Sequence, residues 1–407
     1  MTSSPLAPTL STRQRVSLGS ILAAYLQVGL TAFGFTILQK LKSLVLDNHW
    51  LDEDELNEGL ALVQLYPGPI MVDLTAYVGY KLRGVPGALM ATLGFILPSF
   101  VLMLVLSAAY FAAGSLPWVH ALFLGLEALV VGVILNITLD FGQRAIHGKV
   151  EAAVALGAFV AMLFKLNAVV IVLAALGLGA WLLRPGASAA RTPSPSPQAA
   201  PAHTPAKRWV AIGSVVAVIL AVAGLSLALR SDVGRMGLAF LKIGSIAFGN
   251  GTTIAPLIQA EVVDGQHWLS LGQFADGIAL GQVTPGPFLI TAAFVGYKVG
   301  GIPAAALATF AIFAPSFAMT LIFTEIFGRV RDLRAVKGAL AGVLASFVGL
   351  LAVVTWQLGT VGVQGPASLA LAAAAFTAVR YFKLDLVLVF LGGLILWTGF
   401  LALGLAY

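Results

Sequence analysis

Apolar stretches of about twenty residues recur along this chain, each bounded by a short polar or glycine-proline interruption, and a ~30 Å hydrocarbon layer needs helices of about that length. The pattern predicts thirteen helical membrane segments, at residues 17–37, 56–82, 86–112, 118–140, 150–164, 167–183, 209–229, 236–258, 272–297, 303–326, 335–356, 366–379 and 385–405. The pairs 150–164/167–183 and 366–379/385–405 contain short members, so each pair either crosses fully or forms a tight hairpin that does not. Residues 184–208 break the pattern: Pro185, Pro193, Pro195, Pro197, Pro201 and Pro205 stand among Ala and Ser. Such a stretch cannot form a core and predicts a flexible aqueous linker.

Composition agrees with a lipid solvent. The chain has 407 residues, 59% hydrophobic and 10% charged, against roughly 25% charged in soluble domains. The net charge of +6 comes from single basic residues scattered between apolar runs, so no nucleic-acid surface is expected. Without cysteine there is no disulfide, thiolate or Cys-ligated zinc, and the five histidines show no metal-ligand spacing. No G-x-S-x-G, Walker A loop or dinucleotide fingerprint is present, so neither an enzyme, a cofactor nor an ATP-driven pump is expected. The apolar run after Arg13 and Arg15 lacks a small-residue cleavage site and reads as an uncleaved first span.

The two sides of the linker repeat one another. Trp50–Pro69 and Trp268–Pro287 agree at nine of twenty positions, and Ala76–Phe100 and Ala293–Phe317 at thirteen of twenty-five. Upstream, Leu26–Gly34 resembles Leu241–Gly249; late in each half, Phe164-Lys-Leu-Asn matches Phe382-Lys-Leu-Asp. The expected organisation is a tail at 1–16, a first membrane repeat at 17–183, the linker, an extra span at 209–229 and a second repeat at 232–407. An odd span between the halves inverts the second. The positive charges agree: Arg144 and Lys149 follow the fourth span, whereas Arg329, Arg331, Arg334 and Lys337 precede its counterpart. With a cytoplasmic N-terminus, sixteen basic residues fall inside and four (Lys165, Arg230, Arg235 and Lys298) outside, which puts the C-terminus outside. The expected fold is therefore an all-α integral membrane protein with two inverted-topology repeats, the pattern of secondary transporters.

The candidate chemistry lies at paired interruptions. Pro67-Gly68-Pro69 and Pro285-Gly286-Pro287 each stop a helix at membrane depth, because proline lacks the amide donor and clashes with the preceding turn. Broken backbone is tolerated there only inside protein or beside a watery cavity. A helix restarting after the break presents free N–H groups, an anion site; the plainer reading is a kink that serves packing alone. Gln64, Gln282 and Thr284 flank the breaks. Asp73 follows the first, either as a proton-coupling carboxylate or as a helix-start hydrogen-bonding group. Phe33 and Gly34, and Phe248, Gly249 and Gly251, end the first span of each half as helix-break or packing elements, with Asn250 among the latter as a substrate-binding candidate. Lys242 either attracts an anionic substrate or pairs with Glu261 or Asp276.

These elements resemble the chromate ion transporter family, long two-domain type: a Phe-Gly element ending the first helix, Trp-Leu, Gln-x-x-Pro-Gly-Pro at Gln64–Pro69 and Gln282–Pro287, a Gly-Tyr-Lys stretch and Pro-Ser. The usual first-half Phe-Gly-Gly-Pro is Phe33-Gly34-Phe35-Thr36 here, and Asn250 interrupts the second glycine run. The resemblance implies a protein of the cell's inner membrane that exports chromate, in competition or exchange with sulfate or coupled to protons. Implied partners are a small oxyanion and the lipid bilayer, with a homodimer left open. Outward movement of a dianion is favoured by about 4.6 kcal/mol per 100 mV when the interior is negative. Transport of sulfate or another small anion, or an anion channel, are the competing expectations.

Overall fold

The computed structural model describes residues 16–34, 36–113, 116–183, 206–249, 251–330 and 334–404; the tail at 1–15, most of the expected linker, and Asn250 lie outside them. The described chain is helical: α1 (Leu18–Thr31), α2 (Thr36–Asp47), α3 (Glu53–Leu62), α4 (Ile70–Ala113), α5 (Pro117–Ala145), α6 (Lys149–Leu163), α7 (Ala168–Leu182), α8 (Ala206–Ala228), α9 (Asp232–Ile246), α10 (Ala255–Gln259), α11 (Leu271–Val283), α12 (Thr291–Val330), α13 (Arg334–Gly362), α14 (Pro366–Arg380) and α15 (Leu386–Ala402). Two two-residue strands, β1 (Gly68–Pro69) and β2 (Phe248–Gly249), form the single ladder among the described residues. Among the described residues five stretches are long and apolar enough to cross a membrane: Ile70–Ala113, Pro117–Ala145, Ala206–Ala228, Phe288–Ile326 and Val336–Gly362. Shorter apolar helices stand beside them at α1, α7, α14 and α15.

Local sequence sets the boundaries. Asp52 accepts from Glu55 N at 2.7 Å and Glu55 reaches back to Asp52 N at 3.2 Å, a capping box that opens α3 and uses the acidic cluster to favour its positive end. Ser270 and Gln273 form the same box at α11. The late Phe-Lys-Leu-Asn/Asp elements fold alike: Lys165 and Lys383 take positive φ, and Asn167 and Asp385 cap α7 and α15 by accepting from Val169 N and Val387 N at 2.9 Å. His49 and His267 repeat another left-handed turn before the broken helices.

The expected spans differ in detail from the helices. Residues 17–37 are not one helix; the chain leaves α1 at Ala32 and restarts as α2. Residues 236–258 divide likewise, and Ala260–Gly265 adds a π-helical turn. Spans 56–82 and 86–112 are redistributed: the interruption falls at the first Pro-Gly-Pro, and α4 folds back on itself at Arg83–Gly84, so that a Cβ on Gly79 would lie 2.4 Å from Gly87 O. In α12 the same reversal occurs at Gly300–Gly301.

The halves pack reciprocally. Long helix α5 lies against α14 and α15 of the second half, and α13 against α6 and α7 of the first. The apolar core runs continuously through these contacts, from Leu129 and Val133 on α5 to Phe347 and Val354 on α13. By contrast α8 is largely exposed and meets α4, α9 and α12 along one side.

Candidate functional site

Each Pro-Gly-Pro lies across the other half's Phe-Gly element. Gly68 and Pro69 pair in parallel with Phe248 and Gly249. At the second break, Gly286 N donates to Ala32 O at 2.9 Å, beside Phe33 and Gly34. Both breaks also rest on the other half's Pro-Ser. A Cβ on Gly68 would stand 2.7 Å from Ser316 Cβ, and one on Gly286 2.8 Å from Ser99 Oγ. Flanking prolines have no amide hydrogen, so the central glycine is the donor available to each crossing. Gly286 is also held at φ +97°, where a side chain is strained.

At the first break the polar groups are short of donors. Asp73, in the first turn of α4, is fully buried, and neither carboxylate oxygen has a hydrogen-bond partner. The hydroxyls of Ser316 and Thr320 stand beside it, but donate to Phe313 O at 3.2 Å and Ser316 O at 2.9 Å. Tyr66, also buried, donates to Thr320 Oγ1 at 2.8 Å. Gln64 reaches the surface and Pro67 is half-buried; Gly34, exposed, and Phe33, half-buried, stand by the second crossing instead. Lys40 donates to Thr31 O, where the last carbonyls of α1 lack helical partners.

The second break has the opposite deficit. Gln282 is 8% exposed and its Nε2 has no partner. Pro285, Gly286 and Pro287 are buried with it. Thr284 donates to Leu280 O at 2.7 Å and Thr291 to Phe288 O at 2.9 Å, so neither hydroxyl hydrogen is free. Gly251 is buried against Leu289 just past this break, whereas Phe248, buried, and Gly249, half-buried, lie on the first.

The cradle expected from sequence is thus only partly assembled around one point. Gln64 is exposed where Gln282 is enclosed. Lys242 forms an ion pair with Glu261, the second of the roles its position allowed, and Gln266 adds a 3.4 Å bond to the same carboxylate. Sequence reading passed over Glu127, which faces Asp276 from α5, and Gln259, buried and bonded to Gln357. A lone acid inside an apolar span was the available signal for Glu127.

Comparison with known proteins agrees with the repeat. A family model described as chromate transporter matches residues 19–180 and 234–398. A chromate transport protein of Pseudomonas aeruginosa is 32% identical over 401 residues, 95% of this chain and 93% of that protein. Another, of Cupriavidus metallidurans, is 30% identical over 354 residues, 85% of this chain and 82% of that one. An uncharacterized transporter of Methanocaldococcus jannaschii is 33% identical over 349 residues, covering 84% and 85% of the two chains. No solved structure matches.

Proposed function

Because this chain belongs to the chromate transporter family, we propose that it is a secondary transporter that carries chromate or a closely related oxyanion out of the cytoplasm by alternating access. The observation that carries this reading is the Gln282 amide, a buried donor without a partner where the backbone restarts after Pro287. An unpaired buried donor costs about 1–3 kcal/mol, and a bound anion would supply its acceptor. The amides after Pro287 add the partial positive charge of a helix start. Around Gln282 the cradle comprises Thr284, Pro285, Gly286 and Pro287, with Gly251 against Leu289 just past the break and Gly249 beside Pro69 of the other break. Gln64 and Pro67–Pro69 form the other half's wall. Lys242, already neutralised by Glu261, adds little net attraction for the anion.

The reciprocal contacts of α5 and α13, and the two crossings of Pro-Gly-Pro on Phe-Gly, support oppositely oriented halves totalling thirteen segments. In that topology the N-terminus is cytoplasmic, the C-terminus outside, and the protein sits in the inner membrane. The exposed Gln64 and the enclosed Gln282 suit a carrier caught facing one side. The membrane potential favours dianion exit without ATP, and exchange for sulfate lets the carrier return loaded. Asp73 is the coupling candidate: a charged carboxylate in the first turn of α4 occupies the dipole that an anion would use. Cells making the protein should resist chromate.

Labelled chromate uptake into inverted membrane vesicles tests this. Saturable uptake, competed by sulfate and stimulated by internal chromate, is expected, with a large loss in Gln282→Ala. Uptake equal to that of vesicles lacking the protein overturns the reading, and flux that neither saturates nor exchanges replaces the carrier with a channel.

A further inference from the structure

A pair of carboxyl groups joins the halves away from both breaks. Asp276 lies on α11, less than two turns before Gln282, and Glu127 faces it from α5. Each residue is 5% exposed. Tyr110 on α4 is half-buried and donates to Asp276 Oδ2 at 2.6 Å, while Oδ1 has no partner. The rings of Phe123 and Phe294 close over Tyr110, with centroids 4.8 and 5.2 Å away. Gly272 makes room for the pair: a Cβ there would stand 3.2 Å from Glu127 Oε1.

Among the described residues the surrounding elements bring no basic partner. Between Gly338 and Gly362, α13 has no ionisable side chain, and α15 has none. On α14, Arg380 lies near Asp140 and bonds Gln143. Lys298 of α12 sits over the Phe111 ring, and His120 of α5 is exposed. Two facing carboxylates in an apolar setting cannot both stay charged without a positive charge between them.

We propose that Glu127 and Asp276 form a proton-binding site of the transporter distinct from Asp73, with the Tyr110 hydroxyl as its link to the surface. The inference rests on the transport reading and deepens it. A divalent metal ion wants about six oxygen ligands, and this cluster offers two carboxyl groups and one phenol. With the proton bound, a carboxyl–carboxylate hydrogen bond ties α11 to α5. Once the proton leaves, the two charges repel, and α11, which carries Gln282 to the break, is released. Among the residues of α13, the counterpart of α5, there is no carboxylate. Among the described residues there are therefore two breaks but one such latch.

Two measurements on purified full-length protein test this. In proteoliposomes with a pH-sensitive dye inside, chromate evokes proton movement; Glu127→Gln and Asp276→Asn reduce that movement at least about tenfold while exchange of labelled chromate at equal pH changes by less than about threefold. Proton movement that survives in both variants overturns the proposal. An acid-minus-alkaline infrared difference spectrum reads the shared proton without any anion. A protonated-carboxyl band should vanish in Glu127→Gln and in Asp276→Asn but persist in Asp73→Asn. A spectrum identical in wild type and both variants overturns the proton site even where chromate exchange stands. The band present without chromate exchange overturns the transport reading instead and leaves a proton site of another function. Sodium-dependent, pH-independent coupling also overturns the proposal.

Discussion

The two Pro-Gly-Pro interruptions share three residues and a crossing geometry, yet their surroundings leave opposite needs. At the first, the buried Asp73 oxygens are acceptors without donors. At the second, Gln282 Nε2 is a donor without an acceptor. An anion brings acceptors only, so it can satisfy the second break and not the first. A proton does the reverse. Duplication thus produced two equal backbone scaffolds, and a few flanking side chains gave them different chemistry. Exposure follows the same division, with Gln64 open and Gln282 enclosed.

The largest effects should come from the central glycines, and they should differ in kind. Gly286→Ala places a Cβ 2.8 Å from Ser99 Oγ and holds it at φ +97°. The left-handed conformation alone costs about 1–2 kcal/mol. Gly68 carries no positive φ, but a Cβ there would overlap Asp73 Oδ2 at 1.8 Å. Both alanine variants should lose most chromate transport and melt at lower temperature in detergent. Adding Asp73→Ala should restore part of Gly68→Ala, whereas Ser99→Ala should restore little of Gly286→Ala because the backbone strain remains. Equal rescue at both sites would erase the distinction.

Next come the glutamines. Hydrogen bonds to charged groups contribute about 1.5–3 kcal/mol, so Gln282→Ala should weaken chromate binding, measured by calorimetry, by about ten- to a hundredfold. Gln64→Ala should change it by less than about threefold, because water replaces an exposed amide. A smaller, reciprocal exchange then sharpens the contrast. Asp73→Asn removes the charge that the first helix start carries whenever the Asp73 proton has left, and Thr291→Asp brings one to the second. Charge–dipole terms of about 1 kcal/mol predict roughly fivefold tighter binding in the former and fivefold weaker in the latter. The reverse order would put the anion at the first break.

Much of this architecture was legible because backbone chemistry is local. Pro-Gly-Pro must stop a helix, and the matched Phe-Lys-Leu-Asn/Asp turns fold alike because the same capping side chain ends both. Less visible was that Phe33-Gly34 divides the first span into α1 and α2, since apolar periodicity runs through both. The crossings escaped the sequence altogether: Gly68 meets Phe248, and Gly286 meets Ala32, through backbone groups that every residue possesses. Glu127 and Asp276 were hidden for another reason. They stand far apart in the chain, and Glu127 has no partner in the repeat to draw attention to it. Side-chain identity marked the breaks, but only tertiary packing distinguished an enclosed glutamine from an open one.

The smallest effect should come from Lys242, the one cation that sequence placed near the cradle. Its side chain is 39% exposed and its charge is paired with Glu261, whose own side chain is 17% exposed. Partly exposed ion pairs contribute roughly 0.2–1 kcal/mol. Lys242→Ala should therefore lower the melting temperature slightly and alter chromate affinity by less than about twofold at physiological salt. Removing Glu261 as well should return affinity to the wild-type value, because a distant field from two cancelling charges is the same as from none. A tenfold loss of affinity in Lys242→Ala that Glu261→Ala does not reverse would mean that the lysine leaves its partner to meet the anion. The second break would then recruit a full positive charge beyond its orphan donor, and the asymmetry between the two interruptions would be larger than their hydrogen bonding alone requires.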